Sequence, residues 1–146
     1  MIPGSILFFS DKTRFSFRNR AAVRAWLLQV IKKEKALPGD ISYIFTSDKS
    51  LLGINKQFLQ HDFFTDVITF DYCTREKGKQ IISGEIYISI DRVKDNARRL
   101  KISTAQELHR VMVHGLLHLC GHGDKTQKQQ KTIRRLEDFY LSLLIL

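Results

Sequence analysis

Residues 104–124 read TAQELHRVMVHGLLHLCGHGD. The first part is an apolar helical pattern that begins at Ser103 or Thr104 and is broken by Gly121 and Gly123. A helix with Leu108, Val111 and Leu119 on its inner face must be packed against other elements, so this stretch sets what the rest of the chain has to supply. It also concentrates histidine: of the five in the chain, His114, His118 and His122 fall within residues 113–124, which close on Asp124.

His114 and His118 are four residues apart, just over one helical turn, so both rings leave the same face one above the other. Neutral imidazoles in this arrangement can share a transition metal at ~2.0–2.1 Å. A further ligand has to come from beyond the helix. The glycines free the backbone to turn, and Asp124 or, alternatively, His122 can then swing back. Three protein ligands with a fourth position left open are the pattern of catalytic zinc, and one zinc ion per chain is expected. Cys120 lies close by and reads as a buried apolar filler, with a ligand role as the lesser alternative.

The remaining elements follow from periodicity and punctuation. Residues 5–17 read as one or two short strands around an Asp-Lys turn. A helix capped by Asn19 carries Ala22, Val23, Trp26, Leu27, Val30 and Ile31 on its inner side and is ended by Pro38-Gly39. ISYIFT (41–46) alternates as a strand. Ser47 or Asp48 caps a second helix with Leu51, Ile54 and Phe58 buried. TDVITFDY (65–72) and IISGEIYISI (81–90) are strands joined by a short charged loop, which predicts an antiparallel hairpin. Asp91 caps a third helix. The last helix starts near Thr126, with Ile133, Leu136, Tyr140 and Leu143 inward. This order predicts an α+β fold: a small mixed β-sheet with a central hairpin, packed against about five helices.

The chain has 146 residues, of which 43% are hydrophobic, enough to build a core for a single domain over 1–146. Two cysteines, Cys73 and Cys120, are too few for a disulfide framework. The start, MIPGSILFFSDK, lacks the basic leader of a signal peptide, and no stretch approaches the ~18–20 apolar residues that span a bilayer. A cytoplasmic protein with no membrane partner is expected. The net charge of +9 favours a polyanionic partner, above all nucleic acid.

The stretch HGLLHLCGHGD resembles the signature of the YbeY family of metal-dependent endoribonucleases, His-Gly-x-Leu-His-Leu-x-Gly-x-x-His. It matches at His114, Gly115, Leu117, His118, Leu119 and Gly121. TDVITF (65–70) resembles the family's Thr-Asp-Val-Leu-Ser-Phe strand, GEIYIS (84–89) its Gly-Asp-Ile-x-Ile-Ser strand, and Asn55 the asparagine before the first of these. The likeness runs from about residue 40 to the end. It implies hydrolysis of RNA phosphodiester bonds in rRNA maturation, with ribosomal RNA or ribosomal subunits as partners. It also implies that position 124, six beyond His118, is the third metal-binding position, where this chain has Asp124 instead of histidine. In FLQHDFFTD, Leu59 stands where the family has an arginine implied in the RNA chemistry, and Phe64 where it has a proline. His61 is the nearest basic group in sequence.

Cations for the RNA backbone are sought in Arg92, Arg98, Arg99, Lys125, Lys128 and Lys131. Glu107 and His109 read as packing or helix-surface residues. Thr65 and Asp66 can face the cleft, and Glu85 either lines it or faces solvent. Two other classes compete. A metalloprotease helix needs His-Glu-x-x-His, and here Gly115 occupies the position of the base. A non-catalytic ribosome-assembly factor would bind RNA through charge and use metal for folding only. If phosphate contacts dominate, RNA affinity falls with added salt, measured as the slope of log affinity against log salt.

Overall fold

Runs rich in β-branched and aromatic residues give a five-stranded sheet. In the computed structural model, which describes residues 4–146, the order is β1 (Ile6–Ser10), α1 (Arg20–Lys33), β2 (Leu37–Thr46), α2 (Asp48–Leu59), β3 (Val67–Asp71), β4 (Thr74–Glu76), β5 (Lys79–Ser89), α3 (Ile90–Leu100), α4 (Thr104–Leu119) and α5 (Gln127–Ser142). The strands lie in the order β1-β2-β5-β3, with β4 pairing the outer part of β5. β1, β2 and β5 are parallel, while β3 and β4 run antiparallel to β5. The expected α+β architecture and hairpin are therefore present, and the sheet is mixed. Among the described residues, no helix is long and apolar enough to cross a membrane.

One sheet face carries Ile6, Phe8, Ile41, Tyr43, Phe45, Ile82, Ile86 and Ile88 into the core, against α1 and α4. Two hydrogen bonds tie the layers together. The Tyr43 hydroxyl donates to the Met112 carbonyl at 2.9 Å, and Trp26 Nε1 donates to the Tyr140 carbonyl at 2.7 Å. On the other face, α2 lies against β3 and β5, with Phe58 edge-on to Phe70 and Phe70 edge-on to Tyr87.

α4 is the central helix. Between Val111 and Leu119, every residue is buried except His114 and His118. Its N-terminus is fixed by a capping box of Ser103 with Gln106, which settles the start between the two expected positions. Gly115 lets the helix approach the sheet: a Cβ there would lie 2.8 Å from a methyl of Ile86. This side of α4 therefore faces β5 and β3, leaving no room for the glutamate of a metalloprotease helix.

Several local expectations are corrected. Residues 13–17 form no strand; instead Phe15 and Phe17 pack on Phe45, and Phe17 also on Phe8. Asn19 occupies the cap position of α1 in a left-handed conformation (φ 60°), so its side chain makes no cap bond. Pro38-Gly39 does not end α1, which stops at Lys33; the pair lies inside β2, at a shift of register between Pro38 and Ile41. In α2, Asn55 is buried and Phe58 is 60% exposed, because the helix turns its amide toward the following loop. Ser89, not Asp91, caps α3; the Asp91 carboxylate accepts from the Asp48 amide at 2.8 Å.

The close approach at Gly115 predicts that Gly115→Val destabilises the fold by about 1–3 kcal/mol through overpacking. At Gly53, within α2, a side-chain methyl would meet nothing within 4 Å beyond its chain neighbours and its own helix backbone, and Gly53→Ala is expected to stabilise by about 0.5–1 kcal/mol. Urea unfolding of the two variants checks both signs.

Candidate metal centre

His114 and His118 rise from the one uncovered strip of α4, their ring centroids 4.4 Å apart and their planes at 87°. Each ring is held through its Nδ1. That of His114 donates to the Glu137 carboxylate at 2.5 Å, and that of His118 donates to the His122 carbonyl at 2.8 Å. A carboxylate and a carbonyl can only accept, so both Nδ1 atoms carry the hydrogen, and in the neutral rings both Nε2 atoms present lone pairs. Those two Nε2 atoms converge to 2.9 Å.

The backbone beyond α4 brings in a third donor. Gly121 adopts φ 105°, a conformation open to glycine, and the His122 amide closes back on the Leu117 carbonyl at 3.0 Å. Asp124 then lies over the rings, with its Oδ2 3.3 Å from His118 Nε2 and 3.6 Å from His114 Nε2. The start of α5 secures this bend: Gln129 Oε1 accepts from the Lys125 and Thr126 amides, and Gln130 donates to the Asp124 carbonyl. In the neutral rings, two lone-pair nitrogens and a carboxylate oxygen face one point, an arrangement that favours a cation between them. Among the described residues, His114, His118 and Asp124 are the cluster able to hold a metal ion.

His122 is not part of this cluster. Its Nε2 pairs with Glu34 Oε1 at 2.6 Å, and Glu34 also accepts from the Tyr140 hydroxyl. Its carbonyl, not its ring, serves the centre by orienting His118. Cys120 is also outside the cluster, and burial pushes its thiol up to about 12.

Glu137 was not among the residues singled out in the sequence. It is 3% exposed, and Arg110 Nη1 donates to its other oxygen at 2.9 Å. Its signal is a carboxylate four residues after Ile133 on the apolar side of α5, which needs a buried partner. Burial disfavours the charged His114 ring, but its hydrogen bond to Glu137 and the nearby carboxylates outweigh this and raise its pKa. The same negative surroundings favour a bound cation.

The centre opens on two cavities that share Asp66, Val67, His114 and Asp124. The smaller, about 370 Å³, reaches Glu107, Arg110 and Arg134. Glu107 is buried, with one oxygen lacking a hydrogen-bond partner, and burial raises its pKa as it does that of Asp66. The larger, about 650 Å³, is lined by Leu59, His61, Phe63, Thr65 and Lys125 among others. Of the cations singled out in the sequence, Lys125 faces this cleft. Arg92 is bound to Asp48 at 2.7 Å and lies over the Phe64 ring. Arg98 is 3.7 Å from Asp95, and Arg99 donates to Asn96. Lys131 lines an outer groove with Arg134 and Arg135, and Lys128 is exposed in the first turn of α5. Glu85 accepts from the Tyr72 hydroxyl at 3.0 Å and lines neither cavity. His109 is buried edge-on to Trp26.

This geometry ranks the ligands. Asp124→Ala is expected to weaken metal retention more than His122→Ala, and Glu137→Gln to weaken it by about 10–100-fold. Competition with a chelator measures all three.

The profile of the family described as Endoribonuclease YbeY matches residues 7–144. Endoribonuclease YbeY of Cytophaga hutchinsonii is 50% identical over 139 residues, covering 95% of each chain. That of Parabacteroides distasonis is 39% identical over 140 residues, covering 96% of each. The solution structure of TM1509 from Thermotoga maritima superposes with a TM-score of 0.62 at 23% identity, over 94% of this chain and 90% of that one, a likeness of fold. Since the sequence matches extend over nearly the whole length on both sides, the chain belongs to the endoribonuclease YbeY family.

Proposed function

We propose that this endoribonuclease, acting in rRNA maturation, hydrolyses single-stranded RNA at one zinc ion held by His114, His118 and Asp124. The observation that carries the reading is the convergence of two Nε2 lone pairs at 2.9 Å beside a carboxylate, a donor set that suits a borderline-soft divalent ion. When bound, such an ion supplies Lewis-acid polarisation of a phosphoryl oxygen and lowers the pKa of water.

The chain's own residues do the rest. Glu137, braced by Arg110, keeps the proton of His114 on Nδ1 and fixes the ring plane. The His122 carbonyl does the same for His118. Lys125 and Arg134 stand at the cavities on either side of the centre, where ammonium and guanidinium groups offset charge building on the phosphate. Leu59 lines the larger cavity, so the charge supplied by arginine at the matching family position has to come from these other cations. Arg92, Arg98, Arg99, Lys128 and Lys131 contribute attraction for the RNA backbone at longer range. In this reading the substrate is ribosomal RNA, free or within a subunit, and the same activity serves ribosome quality control.

Purified protein is expected to carry about one zinc ion per chain and to cut a single-stranded RNA only when the metal is present. His114→Ala is expected to keep its circular dichroism spectrum and lose cleavage. RNA binding without metal-dependent cleavage, unaffected by that substitution, would instead identify a non-catalytic assembly factor.

A further inference from the structure

The end of α2 and the loop that leads to β3 present an unusual set of surface groups: Phe58, Leu59, Phe63 and Phe64 are 60%, 40%, 56% and 53% exposed. Leaving so much apolar surface in water within seven positions is costly without a use. The loop is nevertheless built, not loose. Gln60 ends α2 in a left-handed conformation, the His61 amide donates to the Asn55 carbonyl at 3.1 Å, and buried Asn55 donates its Nδ2 hydrogen to the Phe63 carbonyl at 2.9 Å.

The aromatic rings have different surroundings. Phe58 leans edge-on against Phe70, and Phe64 lies under the Arg92 guanidinium at 5.4 Å. Phe63 stacks on the His61 ring, with centroids 5.1 Å apart and planes at 21°. Both of these rings line the same cavity of about 650 Å³ as His114, His118, Asp124 and Lys125. One face of Phe63 is thus supported by an imidazole, in a cleft that also holds the candidate metal ligands and the ammonium group of Lys125.

We infer that Phe63, backed by His61, is a stacking platform for an unpaired nucleobase of the RNA strand bound at the metal centre. The inference rests on the nuclease reading above and adds how the strand is gripped. A base flat on Phe63 leaves its backbone in the cleft beside Lys125, within the cavity that the metal ligands line. Stacking uses the π-face that every base has, so it tolerates sequence and rejects a duplex, whose bases are already stacked. Asn55 is a positioning residue: it holds the Phe63 backbone and touches no substrate.

The test uses the full chain with its metal and a short single-stranded oligodeoxynucleotide as an uncut probe. Phe63→Ala is expected to weaken binding by about 5- to 100-fold. Phe58→Ala, an equally exposed aromatic outside the cleft, is expected to bind as the unaltered chain does. In Phe63→Trp, the introduced indole should be quenched as the oligonucleotide saturates, against the constant signal of Trp26, which is 3% exposed. Unchanged affinity in Phe63→Ala, or no quenching in Phe63→Trp at saturation, overturns the platform. Equal losses in Phe58→Ala and Phe63→Ala also overturn it, and a matching change in sedimentation would reassign the patch to self-association. If Phe63→Ala does not fold, Phe63→Leu carries the affinity measurement. Metal-dependent cleavage by the unaltered chain is scored separately, so failure of the platform leaves the nuclease reading standing, and absence of cleavage sinks that reading by itself.

Discussion

The seating of α4 on the sheet is the contact on which the rest of this molecule depends. Gly115 allows the helix axis to come within van der Waals reach of Ile86 and Thr69. With that side pressed to the sheet and Met112, Val113, Leu116 and Leu117 buried on other sides, the helix between Val111 and Leu119 is uncovered only at His114 and His118. The apolar packing thus does more than stabilise. It fixes the rotation of the helix and thereby the direction of both imidazoles. A helix able to roll by even part of a turn would point them into the core or apart.

The electrostatics of the centre are local and run against the charge of the chain as a whole. A protein with a net charge of +9 attracts polyanions at long range, yet its cleft gathers Asp66, Glu107, Asp124 and Glu137 about His114. Burial raises the pKa of Asp66 and of Glu107, which makes ionising these two carboxyls costly. Arg110 pairs with Glu137, and Asp124 belongs to the cluster able to hold a metal ion. The basic exterior and the acidic cleft differ in sign: a net positive charge suits a polyanion, and clustered carboxylates suit a cation.

Much of the fold was legible because periodicity and capping report local physics. The strands around 41–46 and 81–90, the glycine break after α4 and the cap at Thr126 were all readable. The misreadings share a cause. Pro38-Gly39 is a helix-stop signal in any local scheme, yet here it is accommodated by a register shift between β2 and β5, which depends on a strand more than forty residues away. Asp91 is an acceptable cap by type, but its carboxylate is engaged by the Asp48 amide, and Ser89 takes the position. Phe58 follows the apolar spacing of α2, but Asn55 takes the buried position because the loop ahead needs its amide.

At the metal centre, the sequence alone determined the paired histidines, the bend after them and the presence of donors at 122 and 124, because spacing on a helix and the freedom of glycine are local properties. It left Asp124 and His122 as alternatives, marked Glu137 only as a carboxylate on the apolar side of α5, and gave no sign of the parts played by Arg110 or Glu34. Tertiary structure decided between them. Glu34, from the end of α1, draws the His122 ring away, while Glu137, from α5, holds His114 in the tautomer that frees Nε2. Both carboxylates come from helices distant in the chain, and only the packing of those helices around α4 brings their charges within hydrogen-bonding distance.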